Sequence, residues 1–516
     1  MAKNQETNWY LELENRYKKI SKLSEISELL EWDSAICLPE KAADNRGDQQ
    51  AVLKGLIHDE MTSPEWQNIF EGAEKQDGLN DWQKANIREA KRLWVHATCV
   101  PKELVEKQAK AVNSCQDAWR KAKKENDFKS YAPHLQKVMT INREIAKIKS
   151  EKLGLSLYDA MLDEYQPGLK SETIDKVFGD LKTFLPKAIQ EISQKQGASR
   201  PEFKEDYPVE KQKAFLTEIM QNMEFDFARG RMDRGSSAFL LDLGNDARVV
   251  SRFDEKNPLR SVISGMHETG HALYEQHRPL EWADQPVGKH RGIGVHESQS
   301  LLMVSQVYQS PEFMGYVAEK MHKYYNTEET KPENLKAKIS KVEPSLIRVN
   351  ADDVTYPLHV IMRYEIEKDL LEGKMNVSDL PKVWGEKSKE YLGVEPQTDT
   401  QGCLQDVHWS SGYMGYFPNY AIGTLLAAQF FEAAKKEKPE IADELKQGSF
   451  KSLNNWLSKN VHQKASLNSF EDLIKEATGK EFSAEAFKRS IRDKYHLNGN
   501  DNALQNVVKN KKQQNK

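Results

Sequence analysis

In the stretch PLRSVISGMHETGHALYEQH, His267 and His271 stand four residues apart and Glu268 directly follows the first of them. On a helix this spacing puts both imidazoles on one face, one turn apart. Two ring nitrogens can then reach one metal ion at about 2.0–2.1 Å. Glu268 is placed to take a proton from a metal-bound water. No other feature restricts the fold as much. A helix must run here with polar groups turned inward, and a catalytic metal needs a third protein ligand and an open position for water.

Glu275 continues the i, i+4 series, but it lies about 12 Å of helix rise from His267, too far to share one ion. The third ligand therefore comes from a second element. The next apolar-patterned helix begins at HESQSLLM, after a loop with Pro286, Gly288, Gly292 and Gly294 that can return the chain. It offers His296 and Glu297, which point about 100° apart around a helix and are unsuited to bind one ion together. By itself Glu297 would be an ordinary solvated glutamate, favoured at a helix start by the dipole. Opposite HETGH it becomes a ligand candidate. The residues leave the choice between His296 and Glu297 open.

Around this site the chain reads as mainly helical. Tyr17, Ile20, Leu23, Ile26 and Leu30 form a stripe within a helix from about Asn8 to Leu30. A second helix is predicted over Pro101–Lys124, with proline at its first turn. A third follows Leu135, Val138, Ile141, Ile145 and Ile148 and ends near Gly154. Between Gly230 and Gly294 the texture changes to glycines and short apolar runs. There Ala238–Leu241 and Val249–Phe253, separated by LGND, predict a small antiparallel hairpin beside the metal-binding helix. Helical periodicity resumes after about Ser298. There is no fixed-period repeat, so we expect a single helical domain over 1–499. The tail from Asn500, rich in Asn, Gln and Lys, is expected to be disordered.

Charge excludes some functions. With 75 basic and 79 acidic residues the net charge is −4, which gives no electrostatic draw toward nucleic acid or an anionic membrane. Four scattered cysteines (Cys37, Cys99, Cys115 and Cys403) form no CxxC pair and read as reduced thiols. The first residues lack a signal-peptide core, and no run approaches the roughly 18 apolar residues of a membrane helix. The expected location is cytoplasmic.

HETGH followed by HESQ resembles the carboxypeptidase Taq family of metallocarboxypeptidases. LLEWDSAICLPEKAADNRGDQQ, IRVNADDVTYPLHVIMRYEIE and GCLQDVHWSSGYMGYFPNYAIG resemble it as well, so the likeness spans nearly the whole chain. The resemblance implies a mainly α fold with a deep substrate groove, one catalytic divalent metal per chain, and a homodimer. It also implies Glu297 as the third ligand beside His267 and His271. It assigns His408 and Tyr420 to transition-state stabilisation, and Arg348 and Arg248 to recognition of a free terminal carboxylate. One region departs from the family pattern. Its DxRxT reads Asp246, Arg248 and Val250 here, and its His-Pro-Phe reads Ser237, Ala238 and Phe239, both at the end of the implied groove.

The expected function is removal of single residues from peptides with a free C-terminus, by Glu268-assisted attack of zinc-bound water. Cobalt and manganese suit the same donors. An oligopeptidase or peptidyl-dipeptidase with this site is the nearest alternative, and an inactive helical scaffold a more distant one.

Overall fold

A computed structural model describes residues 8–196 and 202–497. The expected disordered tail from Asn500 lies outside the described residues.

The first helix, Trp9–Ile36, starts where Asn8 accepts a hydrogen bond from the Leu11 amide. Tyr17 and Ile20 from the predicted stripe are buried against Trp66 and Phe70 in a small N-terminal core. The stripe does not continue into the core: Ile26 is 48% exposed. Past Ile20 the helix borders a cavity of about 440 Å³, lined by its Ser24, Glu25 and Glu28. The next two predicted helices are Lys102–Glu125 and Phe128–Leu153. The second stops at Gly154, whose φ of 67° suits a residue without a side chain. A larger cluster of buried residues then runs from Ala111 to Ile491.

The sheet differs from the predicted hairpin. β2 (Phe239–Asp242) and β3 (Ala247–Ser251) are antiparallel, as expected, but β1 (Gly230–Arg234) pairs with β3 in parallel, giving the order β1-β3-β2. β1 reads GRMDR, and its charged residues give no apolar alternation from which a strand could be inferred. Val249 of β3 packs with Leu216 and with Ala272 of the motif helix, Leu259–His277.

Two close helix contacts set the site. The motif helix meets helix Ile293–Leu301, which runs on into a π-helical stretch, Leu302–Tyr308. At this contact a Cβ on Gly270 would lie 2.6 Å from the Gln299 carbonyl oxygen and 2.8 Å from Ser300 Cα. Only glycine at the fourth position of HETGH permits this backbone approach. On the other side, helix Pro418–Glu437 packs on Ile293–Leu301, and a Cβ on Gly423 would lie 2.8 Å from Glu297 Cγ. Glu297 is wedged between Gly423 and the two histidines. No described helix is long and apolar enough to cross a membrane.

Candidate metal centre

His267 and His271 project from one face of the motif helix, ring centroids 5.0 Å apart and planes at 83°. Glu297 Oε2 lies 3.2 Å from His271 Nε2 and 3.8 Å from His267 Nε2. An ion with tetrahedral bonds of 2.0–2.1 Å sets its donors about 3.3 Å apart, so these atoms outline one face of such a site. The Glu297 side chain is only 15% exposed. Among the described residues no lysine or arginine pairs with it, and Ser300 Oγ donates at 3.3 Å. A carboxylate and two imidazoles converging without a cationic side chain are chemically suited to hold a divalent cation. Burial alone would raise the Glu297 pKa, but the charge of His267 and the hydrogen bond from His271 outweigh it and hold it at about 2.

Glu268 also comes within 4.8 Å of both imidazoles. It is the less suited donor, because Glu297 contacts His271 Nε2 more closely and Glu268 points about 100° around the helix from His267. Burial raises the Glu268 pKa; the two histidines oppose this and Glu297 adds to it. A carboxylate made more basic by its surroundings is suited to proton transfer.

His296 turns away from this face. Its Nε2 lies 2.8 Å from Glu275 Oε1, and its ring stacks on His271 at 4.3 Å. It backs the candidate ligand His271 and is turned toward Glu275. Glu275, excluded above by reach, is paired with Arg278, which also donates to Asp242 Oδ2 at 2.5 Å. The 440 Å³ cavity reaches Glu275 and His296 but is not lined by His267, His271 or Glu297.

His408, Tyr420 and Arg348 form a second cluster. His408 Nε2 lies 3.3 Å from the Tyr420 hydroxyl. Burial lowers His408 to a pKa of about 4, although Asp406 opposes this, so its ring is neutral near pH 7. Burial raises Tyr420, which keeps its proton. The Arg348 guanidinium sits 5.0 Å from the Tyr420 ring centroid and donates to Asp406 Oδ1 from Nε (3.1 Å) and Nη2 (2.9 Å). Its Nη1 donates to the Tyr356 hydroxyl at 3.2 Å. Arg248 is placed elsewhere. It pairs with Asp246 and lies 4.5 Å over the Trp32 ring, with no contact to the other predicted residues among those described.

The two clusters are neighbours through helix Pro418–Glu437. Tyr420 lies three residues, about one helical turn, before Gly423, which seats Glu297. The charge of Glu297 is felt by Tyr356, Tyr416 and Tyr420 alike.

Four residues here were not foreseen from sequence. Arg363 donates from Nε to Asp406 Oδ2 at 2.6 Å and from Nη2 to Gln405 Oε1 at 2.9 Å. Burial opposes ionisation of Asp406, yet Arg363 and Arg348 together hold it well below the usual carboxylate range. Glu367, one turn after Arg363, accepts from Tyr158 Oη (2.7 Å), Trp409 Nε1 (2.8 Å) and the Gly415 amide (2.7 Å). It thereby ties down both ends of the turn that follows His408. Tyr356 is the fourth. The available signal was an arginine inside the apolar run LHVIMRYEI, where a charge has to be paired.

A profile of the carboxypeptidase Taq (M32) metallopeptidases matches residues 12–495. The chain is 33% identical to thermostable carboxypeptidase 1 of Thermus thermophilus, covering 92% of this chain and 95% of that protein. It is 31% identical to carboxypeptidase 1 of Bacillus subtilis, covering 93% and 96%. Among solved structures, metallocarboxypeptidase 1 of Trypanosoma cruzi superposes with a TM-score of 0.92 at 35% identity, covering 95% and 99%.

Proposed function

The chain belongs to the carboxypeptidase Taq (M32) metallopeptidase family and is a metal-dependent peptide hydrolase of the carboxypeptidase class; on that footing we propose that it trims single amino acids from free peptide C-termini with Glu268 as general base. The observation that carries this reading is the donor triangle of His267, His271 and Glu297, with Glu268 beside it.

We assign those three residues as ligands and zinc as the ion, a choice two imidazoles and a carboxylate suit; cobalt or manganese fit the same donors. When bound, the ion supplies a Lewis acid that acidifies a water and polarises the scissile carbonyl. Glu268 takes the proton of the attacking water and passes it to the leaving amine, a shuttle that its raised pKa favours. The neutral His408 ring and the protonated Tyr420 hydroxyl are donors for the oxygen on which charge develops. Arg348 receives the terminal carboxylate. Two buried guanidinium groups share the single carboxylate of Asp406, which leaves one positive charge without a partner, and a carboxylate balances it. The four free cysteines support a cytoplasmic location. The family resemblance supports a homodimer.

A defined peptide incubated with the metal-loaded protein should lose single C-terminal residues in succession, as followed by product mass, and a chelator should stop the reaction. Dipeptide release or internal cleavage would replace this reading with a peptidyl-dipeptidase or oligopeptidase. Activity indifferent to chelation would remove the metal from it.

A further inference from the structure

The geometry points to Tyr356 as a second substrate-binding residue, whose hydroxyl donates to the terminal carboxylate of the peptide beside Arg348. This rests on the carboxylate role given to Arg348 above and adds a partner to it.

One edge of Arg348 is already taken. Its Nε and Nη2 both face Asp406 Oδ1, so that edge of the guanidinium is already engaged. Nη1 is the remaining arm, and it donates to the Tyr356 hydroxyl at 3.2 Å. A tyrosine hydroxyl has one hydrogen and two lone pairs. With a lone pair facing Nη1, its hydrogen is directed away from the guanidinium. Among the described residues no acceptor takes that hydrogen. Donation from a cation polarises the O–H bond and makes it a stronger donor, so Tyr356 extends the positive end of Arg348 outward.

Its surroundings place it at the reacting end. Its ring lies 6.4 Å from that of Tyr420 at 82°, and its acidity responds to Glu297. Tyr356 is the first residue of helix Tyr356–Glu372, and that start is firmly held. Asp352 Oδ1 accepts from the Val354 and Thr355 amides at 3.0 Å. Asp353 is held by Lys494 at 2.6 Å and by the Tyr495 hydroxyl at 3.2 Å. The backbone that carries Tyr356 is thus held, and the bond from Arg348 Nη1 orients its hydroxyl before a substrate arrives, which lowers the entropic cost of using it.

The test compares one peptide bearing a free C-terminal carboxylate with the same peptide bearing a C-terminal amide, on the metal-loaded wild type and on Tyr356→Phe. The wild type should strongly prefer the free acid. Tyr356→Phe should lower kcat/KM for the acid by about tenfold or more, the worth of a hydrogen bond to a charged group. It should leave the amide within about twofold, so that the preference collapses. Inhibition by the released amino acid should weaken in parallel. In an Arg348→Ala background the same substitution should add little, because the hydroxyl has lost the group that orients it. An acid-to-amide ratio unchanged in Tyr356→Phe, with the wild-type preference intact, overturns the inference and leaves Arg348 untouched. No preference in the wild type overturns the Arg348 reading itself, and this one with it.

Discussion

Glu268→Gln should leave the protein folded and its metal content unchanged while kcat falls by about 10²–10⁴, the usual contribution of a positioned general base. The glutamine keeps the shape of the side chain but cannot accept the proton of the attacking water. Glu268 is buried on the helix that carries His267 and His271, so the amide replaces a carboxylate within 4.8 Å of both rings without altering the Glu297 contacts. Elemental analysis of the purified variant beside single-turnover kinetics separates the two quantities. Turnover within a few fold of wild type would remove Glu268 from the mechanism. Loss of metal in the variant would mean that Glu268 is a ligand.

The second large effect is expected at Asp406. Asp406→Asn replaces the one carboxylate shared by two guanidinium groups, of which Arg363 is fully buried and Arg348 nearly so. Breaking a buried pair in this way typically costs about 3–5 kcal/mol, because the remaining charges stay buried without a partner. Denaturant unfolding should show a loss of this order, and hydrolysis of peptides with a free C-terminus should fall with it. The pH dependence follows from the direction of the shift. Asp406 has a folded pKa depressed below that of the unfolded chain, so its stabilisation is complete above the unfolded value of about 4 and is lost as pH falls through the folded value. The gap between wild type and variant should hold steady from pH 7 to about pH 5 and close only in stronger acid. An unfolding midpoint equal to wild type at pH 7 would show that the two arginines do not depend on Asp406.

The legible parts of the molecule were those written in local spacing. Four residues between His267 and His271 demand a helix, and that helix is Leu259–His277. Reach alone excluded Glu275, which turns to Arg278 and His296. Spacing could establish that His296 and Glu297 diverge, but not which of them faces the motif helix. That depends on Gly423, more than a hundred residues later, against which Glu297 packs. β1 was missed because its residues are half-exposed and charged, and its pairing with β3 is a long-range fact. The same holds for the polar contacts around His408. Arg363 and Asp406 are 43 positions apart and Arg348 and Asp406 58, intervals that carry no periodic signal. Arg248 was readable as an arginine in a motif, but its partners Asp246 and Trp32 are not those of the second cluster.

The two glycine contacts leave one half of the site little freedom to change. Around Gly270 and Gly423, backbone meets backbone or the stem of Glu297 itself, and a single added methyl has nowhere to go. Variation in this half is confined to its outer faces, so the donor triangle is a fixed point for any lineage that keeps the reaction. The loop that carries His408 is held as closely: Glu367 ties Trp409 to the Gly415 amide, Asn142 donates to the Gly412 carbonyl, and a Cβ on Gly415 would lie 2.6 Å from the Leu162 nitrogen. Between these points Ser410 and Met414 are fully buried, and the Ser410 hydroxyl meets that of Tyr131 at 2.7 Å. Change on both sides of the site is therefore confined to side chains that face outward, such as Tyr413, which is 46% exposed.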